Sequence, residues 1–343
     1  MNTLAADRST VRRLLACVGA ASPGAIAAPA GSLGGLVFGA AAWAHRVPGA
    51  APWFPVHAPV LRGNGEVAYE AWRACDDGPV VYEPHGAVRL GRSDSWAFAG
   101  VQIDLPASAC PLLEAASRAY SALFDALDAA GFAHPLRFWN YLPAINRLEG
   151  GLERYRQFNV GRHQAFIAAR RVPDAAPPAA CAVGHRGQAL TVAVLAARTA
   201  PLALESPRQV SAYRYPQQYG PRSPVFSRAC LLPSSDAAML LISGTASIVG
   251  HETRHAGDLA AQIDESMVNV DALIGVANAR LQRQDFARAR MTWRAYLRHA
   301  ADAPAAAAQL ARHLPGADLL LLHADICRSD LLFEIEGTGV EAR

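Results

Sequence analysis

The last apolar run of the chain carries two carboxylates one residue apart, in Leu331-Leu332-Phe333-Glu334-Ile335-Glu336. On a strand, Glu334 and Glu336 share one face, with Phe333 and Ile335 on the other. Two carboxyls in an apolar strand are costly unless they are paired or used. Burial raises a carboxyl pKa and lets the group act as a general acid near neutral pH. On this pattern alone the two are equal candidates for an acid, and the bland alternative is a pair facing solvent beside an arginine.

Three other clusters could carry chemistry. The first is Arg154-Tyr155-Arg156-Gln157-Phe158-Asn159-Val160-Gly161-Arg162. If this starts a helix, Tyr155, Asn159 and Arg162 lie near one face and could hold an anion. A solvated basic face is the commoner case, but Phe158 and Val160 between the polar groups weaken it. The second runs from Tyr213 through Tyr215, Tyr219 and Phe226 to Arg228, with Pro216, Pro221 and Pro224 interleaved. Prolines stiffen the backbone and tyrosines give flat walls with polar tips, which reads as one wall of a small-molecule pocket. The third is Ser243-Gly244-Thr245-Ala246-Ser247-Ile248-Val249-Gly250-His251, where small residues let a ligand approach the backbone. It matches neither a Walker loop nor a dinucleotide fingerprint. His251-Glu252-Thr253-Arg254-His255 spells the zincin string, yet it precedes a helix instead of lying inside one, so no metal is expected there.

Composition narrows the ligand. The chain has 343 residues with 52% hydrophobic and 18% charged, enough for a sizeable core of one large or two medium domains. Its net charge of +3 is too mild for nucleic acid. It contains no lysine, so any anion clamp is built mainly from guanidinium groups, which suit carboxylates in a two-pronged geometry. Cys17, Cys75, Cys110, Cys181, Cys230 and Cys327 show no C-x-x-C spacing, which fits a reducing cytoplasm. The N-terminal apolar run is broken by Ser22, Pro23 and Pro29, too short to span a bilayer.

The elements that must position these residues follow from periodicity. Residues 1–30 read as a mobile lead-in, and Gly35–Ala42 as a first strand. Leu112, Leu113, Ala116, Tyr120, Leu123, Leu127 and Ala130 recur at helical steps, with Gly131 as the C-cap. A second long helix spans Asp258 to Leu281. Strands are expected at Leu136–Leu142, Leu190–Ala196, Ala238–Ser243, Met291–Leu297, Leu319–Ala324 and Leu331–Ile335. Phe138-Trp139-Asn140-Tyr141-Leu142 and Trp293-Arg294-Ala295-Tyr296-Leu297 each follow a long amphipathic helix. The pattern predicts a duplicated α+β unit, with one half over 31–172 and the other over 185–343.

Four strings together resemble the chorismatases. They are the Arg154–Arg162 cluster, Tyr215-Pro216-Gln217-Gln218-Tyr219-Gly220-Pro221-Arg222-Ser223-Pro224, the run from Ser243 to Glu252, and the closing Leu331–Gly337. The second half is also similar to the trimeric reactive-intermediate deaminase (YjgF-like) fold. The resemblance implies two YjgF-like halves, each a mixed sheet packed by helices, together imitating that trimer, which is also chorismate-mutase-like. It implies a monomer that removes pyruvate from chorismate without metal or organic cofactor. Carried over by motif, Tyr155, Arg162, Tyr215 and Arg228 bind the substrate and Glu334 is the acid. Ala246 and Cys327 sit near the ring and bear on the product. The expected product is 3-hydroxybenzoate, with some 4-hydroxybenzoate. The runner-up is a hydrolase giving a dihydroxycyclohexadiene acid, and a reading of another class is a non-catalytic small-ligand binding protein.

Overall fold

The structure, a computed structural model, describes residues 14–21, 29–39, 50–62, 67–74, 78–105, 112–172, 175–234 and 237–342. Three sheets enclose one central core. The first holds β1 (Leu14–Ala21), β2 (Ser32–Phe38), β3 (Trp53–Val56) and β5 (Val67–Ala74), in the order β1-β5-β2-β3. The short β4 (Val60–Arg62) leaves it to edge the third sheet.

The second sheet holds β6 (Val81–His85), β7 (Val88–Arg92), β8 (Trp96–Asp104), β9 (His134–Pro143), β12 (Ala179–His185) and β13 (Ala189–Ala197). Helix α1 (Leu112–Ala129) leads into β9. After β9, the small hairpin β10 (Leu148–Glu149) and β11 (Leu152–Glu153) opens helix α2 (Arg154–Ala168). The third sheet holds β14 (Leu202–Leu204), β15 (Ala229–Pro233), β16 (Ala237–Ala246), β19 (Thr292–Leu297), β20 (Leu319–His323) and β21 (Phe333–Ala342). A hairpin of β17 (Ile248–Val249) and β18 (Glu252–Thr253) follows β16. Helices α3 (Leu259–Leu281) and α4 (Ala303–His313) flank β19.

The helices form where the sequence pattern places them. The apolar face of α1 packs on the second sheet, and Gly131 closes the helix at φ 78°. The Gly131 N–H donates to the Asp128 carbonyl and the Phe132 N–H to Leu127, as in a glycine C-cap. Helix α3 starts on Asp258, whose carboxylate accepts from the Ala261 N–H at 3.0 Å.

One wiring diagram occurs three times. In β8-β9-β12-β13, β16-β19-β20-β21 and β1-β2-β3-β5, the second and third strands run parallel. The fourth strand pairs antiparallel with both the second and the first. Corresponding residues therefore meet near a common axis. Phe38, Tyr141 and Tyr296 hold one position, opposite Ala68, Thr191 and Glu334. The Phe38 and Tyr141 ring centroids lie 6.0 Å apart, and the Tyr141 and Tyr296 hydroxyls 3.0 Å apart.

Several sequence expectations change. The two expected helix-backed halves are present as the second and third sheets with their helices, and the first sheet adds a third unit of the same wiring. The boundary between 172 and 185 moves past Ala197, because β13 is hydrogen-bonded between β8 and β9 inside the second sheet. Residues 31–74 belong to the first sheet and the β4 edge, not to the helix-backed N-terminal unit. Leu14–Ala21, placed in a mobile lead-in, is a strand paired with β5. The Ser243–Ala246 stretch continues β16 instead of leaving it, with a shift of register between Ile242 and Thr245. The first strand ends at Phe38, and residues 40–42 of its expected span lie outside the described residues, as do Cys75 and Cys110.

Candidate active site

The edge strand β12 of the second sheet faces β16 of the third, and a cavity of about 290 Å³ opens between them. Its walls come mainly from α2, β12, the segment over 212–228, β16 and the chain entering β21, with Glu153 of β11 and Ile248 of β17 at their ends. Tyr155, Arg162, Tyr215, Arg228, Ala246, Cys327 and Glu334 all line it. These residues are up to 179 positions apart in sequence, and the fold brings all seven to one place.

Helix α2 is placed by contact with α1. Gly161 sits where a Cβ would collide with the Leu113 carbonyl, so only glycine permits this approach. Phe158, Ala165 and Phe166 bury the shared face. Arg162 is then held inside the protein, its guanidinium 5.0 Å over the Phe158 ring and donating to Asn159 Oδ1 at 2.8 Å. Its Nε is buried with no partner among the described residues. Such a donor is costly to leave unpaired and suits an incoming carboxylate. Burial, with Cys327 nearby, pushes the Tyr155 phenol up, so it enters the cavity as a neutral donor.

The opposite wall alternates guanidinium and phenol. Arg228 donates to the Tyr215 hydroxyl at 2.7 Å and lies over the Tyr215 and Phe226 rings. Arg328 lies 4.1 Å over Tyr219 and 5.3 Å over Tyr215. It donates to the His251 carbonyl at 2.9 Å, and the Tyr219 hydroxyl lies 3.1 Å from His251 Nδ1. Stacked cations of this kind are rigid and desolvated on both faces. His251 thus braces the wall, whereas His255 sits with Glu265 at 3.4 Å. Among the described residues no group of three side chains is arranged to hold a metal.

At the floor are Glu334 and Glu336 of β21. Glu336 pairs with Arg137 of β9 and with Arg294 of β19, and accepts from the Tyr296 hydroxyl at 2.7 Å. Burial alone would raise it, but these cations and the phenol outweigh burial and hold it below the usual carboxylate range. Glu334 is 3% exposed and makes no ion pair among the described residues. Burial, reinforced by the charge of Glu336 and opposed by Arg137, pushes its pKa to about 8. At neutral pH it is a carboxylic acid. Its carboxyl packs on Gly244, where an added Cβ would run into it, and Cys181 packs against the same spot. Burial and the nearby Glu334 push the Cys327 thiol up to about 12, so it is neutral too.

Sequence reasoning assigned no part to Arg328 or Cys181, and placed Gly244 only within a run of small residues open to a ligand. Arg328 stood beside Cys327, and a cation in that string was the available signal. Cys181 lies on a strand buried along its whole length, where no spacing marks one residue out. Chemically, the site pairs a neutral buried acid with guanidiniums arranged for a small rigid anion.

Known proteins resemble this chain in sequence and in fold. The family model described as "Chorismatase FkbO/Hyg5-like, N-terminal" matches residues 70–196, ending at the close of β13. A chorismatase of Streptomyces rapamycinicus is 38% identical over 276 residues, 78% of this chain and 81% of the relative. A 3-hydroxybenzoate synthase of Streptomyces hygroscopicus is 40% identical over 235 residues, 65% of this chain and 68% of the relative. A chorismatase crystal structure superposes with a TM-score of 0.84 at 30% identity, covering 95% of this chain and 98% of that one. By this identity and coverage the chain belongs to the chorismatase family.

Proposed function

We propose that this family member removes pyruvate from chorismate, with Glu334 as the acid and 3-hydroxybenzoate as the main product. The observation that carries the reading is a buried carboxyl, neutral at pH 7, facing a cavity lined by guanidiniums. Chorismate is a dianion with an enolpyruvyl ether on a cyclohexadiene ring. Arg162 with Tyr155, and Arg228 with Tyr215, hold its two carboxylates and so orient the ether over Glu334.

Glu334 gives its proton to the methylene carbon of the enol ether. The ether carbon becomes an oxocarbenium ion and Glu334 a carboxylate. The neighbouring ring hydroxyl then attacks the ring carbon that bears the ether. That carbon–oxygen bond breaks, the ether oxygen leaves as the keto oxygen of pyruvate, and the hydroxyl gives up its proton, restoring the acid. The remaining ring isomerises to the aromatic hydroxybenzoate. No water is consumed, since chorismate has the same atoms as hydroxybenzoate plus pyruvate.

A water reaching the oxocarbenium carbon would divert the reaction to the dihydroxycyclohexadiene acid. Cys327 and Ala246 fill the cavity wall near the ring and are proposed to decide this branch. Cys327 acts there as a neutral apolar filler, because its thiol does not ionise near neutral pH. One chain supplies every wall of the cavity, which supports a monomer, to be checked by size-exclusion chromatography with light scattering. Free Cys181, Cys230 and Cys327 suit a reducing cytoplasm. No helix among the described residues is long and apolar enough to cross a membrane.

The deciding experiment is incubation with chorismate, with pyruvate measured enzymatically and aromatic products by chromatography. Pyruvate release with mainly 3-hydroxybenzoate is expected. Absence of pyruvate would end the reading in favour of a binding protein. Cys327→Ala should raise the share of the dihydroxy acid, and an unchanged product ratio would remove Cys327 from the branch.

A further inference from the structure

Glu334 and Glu336 of β21 differ in a way that the reaction scheme leaves unused. Where the three sheets meet, Arg137 and Arg294 face Glu336 and Glu70. Arg294 Nη2 lies 2.5 Å from Glu70 Oε2 and its Nε 3.1 Å from Glu336 Oε1. Arg137 pairs with the other oxygen of Glu336. Glu70 holds on β5 the position that Glu336 holds on β21. The network therefore contains two guanidiniums and two carboxylates and is neutral without Glu334. Each sheet contributes at least one member, and Tyr141 and Tyr296 donate or accept within it.

We propose that Glu336, locked as a carboxylate by this network, is a positioning residue that keeps Glu334 in its acid form. The proposal deepens the reading of Glu334 as the acid and rests on it. The geometry is that of neighbours on one face of a strand, with a fixed negative charge beside a group that must stay neutral. Burial of Glu334 is the larger cause of its neutral form, and the fixed charge of Glu336 two residues away adds to it.

The other groups around Glu334 do not replace it. Tyr296 of β19 stands directly opposite it, with Arg294 two residues away, opposite Glu336. Arg137 of β9 acts on it in the opposite sense. Cys181 on β12, Tyr155 on α2 and Cys327 are neutral at pH 7. Strand β16 presents Gly244 and Ala246, which carry no charge. Arg162, Arg228, Arg328, Arg156, Glu153 and Asp330 share the cavity wall, along with Tyr215 and Tyr219. Cys181 packs with Glu334 on Gly244, so it adds an apolar wall and no charge beside the carboxyl.

The test is the pH dependence of kcat/KM for pyruvate release in full-length variants. Glu336→Gln frees Arg137 and Arg294 to act on Glu334, and the alkaline limb should move down by at least about one pH unit. Arg137→Gln removes the opposing cation, and the limb should move up. A purely structural role would lower turnover in both variants without moving either limb, and that result would overturn the proposal. Infrared difference spectra of the wild type and Glu334→Gln cover the case in which the network variants fail to fold. A protonated carboxyl band at pH 7 that disappears in Glu334→Gln, with none assignable to Glu336, is expected. A protonated carboxyl band near the same frequency that persists at pH 7 in Glu334→Gln and belongs to Glu336 would sink the idea. If Glu334→Gln still releases pyruvate, the underlying acid assignment has failed instead.

Discussion

The two helix-backed units share one topology and put different chemistry on it. Strand β13 of the second sheet and β21 of the third hold the same place. Opposite Tyr141, β13 offers Thr191, and two residues on it offers Ala193; opposite Tyr296, β21 offers Glu334 and then Glu336. The helices differ in the reverse sense. Helix α2 carries Tyr155 and Arg162 to the cavity, while its counterpart α4 reads Ala-Pro-Ala-Ala-Ala-Ala-Gln-Leu-Ala-Arg-His and packs against α3 and the third sheet. One unit thus supplies the clamp and the other the acid, and they meet at the β12–β16 cleft. At another place between sheets, Phe54 of the first fills the space over Gly100 of the second. A shared scaffold sets where a residue can sit, and local side chains decide which cleft becomes a site.

The largest break in this comparison is Glu334→Gln. Pyruvate release should fall by about 10³-fold or more. The variant should also be more stable than the wild type. A carboxyl whose folded pKa is raised to about 8 makes the folded state lose stability as pH rises from about 4.5 to 8, since the unfolded chain ionises first. The full cost, a few kcal/mol, is present above pH 8, and glutamine does not carry it. Urea midpoints at pH 5 and pH 8.5 should separate the two proteins more at the higher pH. The same titration predicts that wild-type turnover declines as pH passes about 8, because the acid form is lost.

Next in size is Gly244→Ala. Its Cβ would push the Glu334 carboxyl off its seat, and kcat should drop by about a hundredfold with the fold intact by circular dichroism. An unchanged kcat would mean that Glu334 has another productive position. Arg162→Gln, on the clamp side, should lower kcat/KM by roughly thirtyfold, seen mostly as a higher KM. The smallest effect is expected at the counterpart of the acid. Thr191→Val removes an acceptor for the Gln102 amide, which keeps the Pro55 carbonyl. Stability should fall by about 1 kcal/mol and turnover should change less than about twofold. A large loss of turnover there would show that the two units are not divided as described.

Much of the cavity was legible because its residues sit in dense local strings. Tyr155 and Arg162 lie on one turn-spaced helix face, and Tyr215 through Arg228 form one continuous wall. The helices were legible for the same reason, since α1 and α3 carry unbroken apolar faces. The first sheet was not. Only part of β2 reads as a strand, and the units are closed by pairs such as Glu70 with Arg294, 224 residues apart, which no periodicity reports. Strands β9, β12 and β13 are buried on both faces; β9 and β13 still read as strands, but no alternation says which sheet they join. The boundary error at 172–185 follows, because nothing local says that β13 belongs with β8. The same limit left Glu334 and Glu336 equal on spacing: Arg137, which tells them apart, lies almost 200 residues away.

The three sheets are written separately in one chain. In an assembly of three identical copies, each substitution would appear at every cleft, and a change that helps one must be tolerated by all. Here a carboxyl at 334 requires none at 191 or 68, where threonine and alanine stand. The three sheets vary independently, so the cavity can change its product while the rest of the molecule keeps its packing.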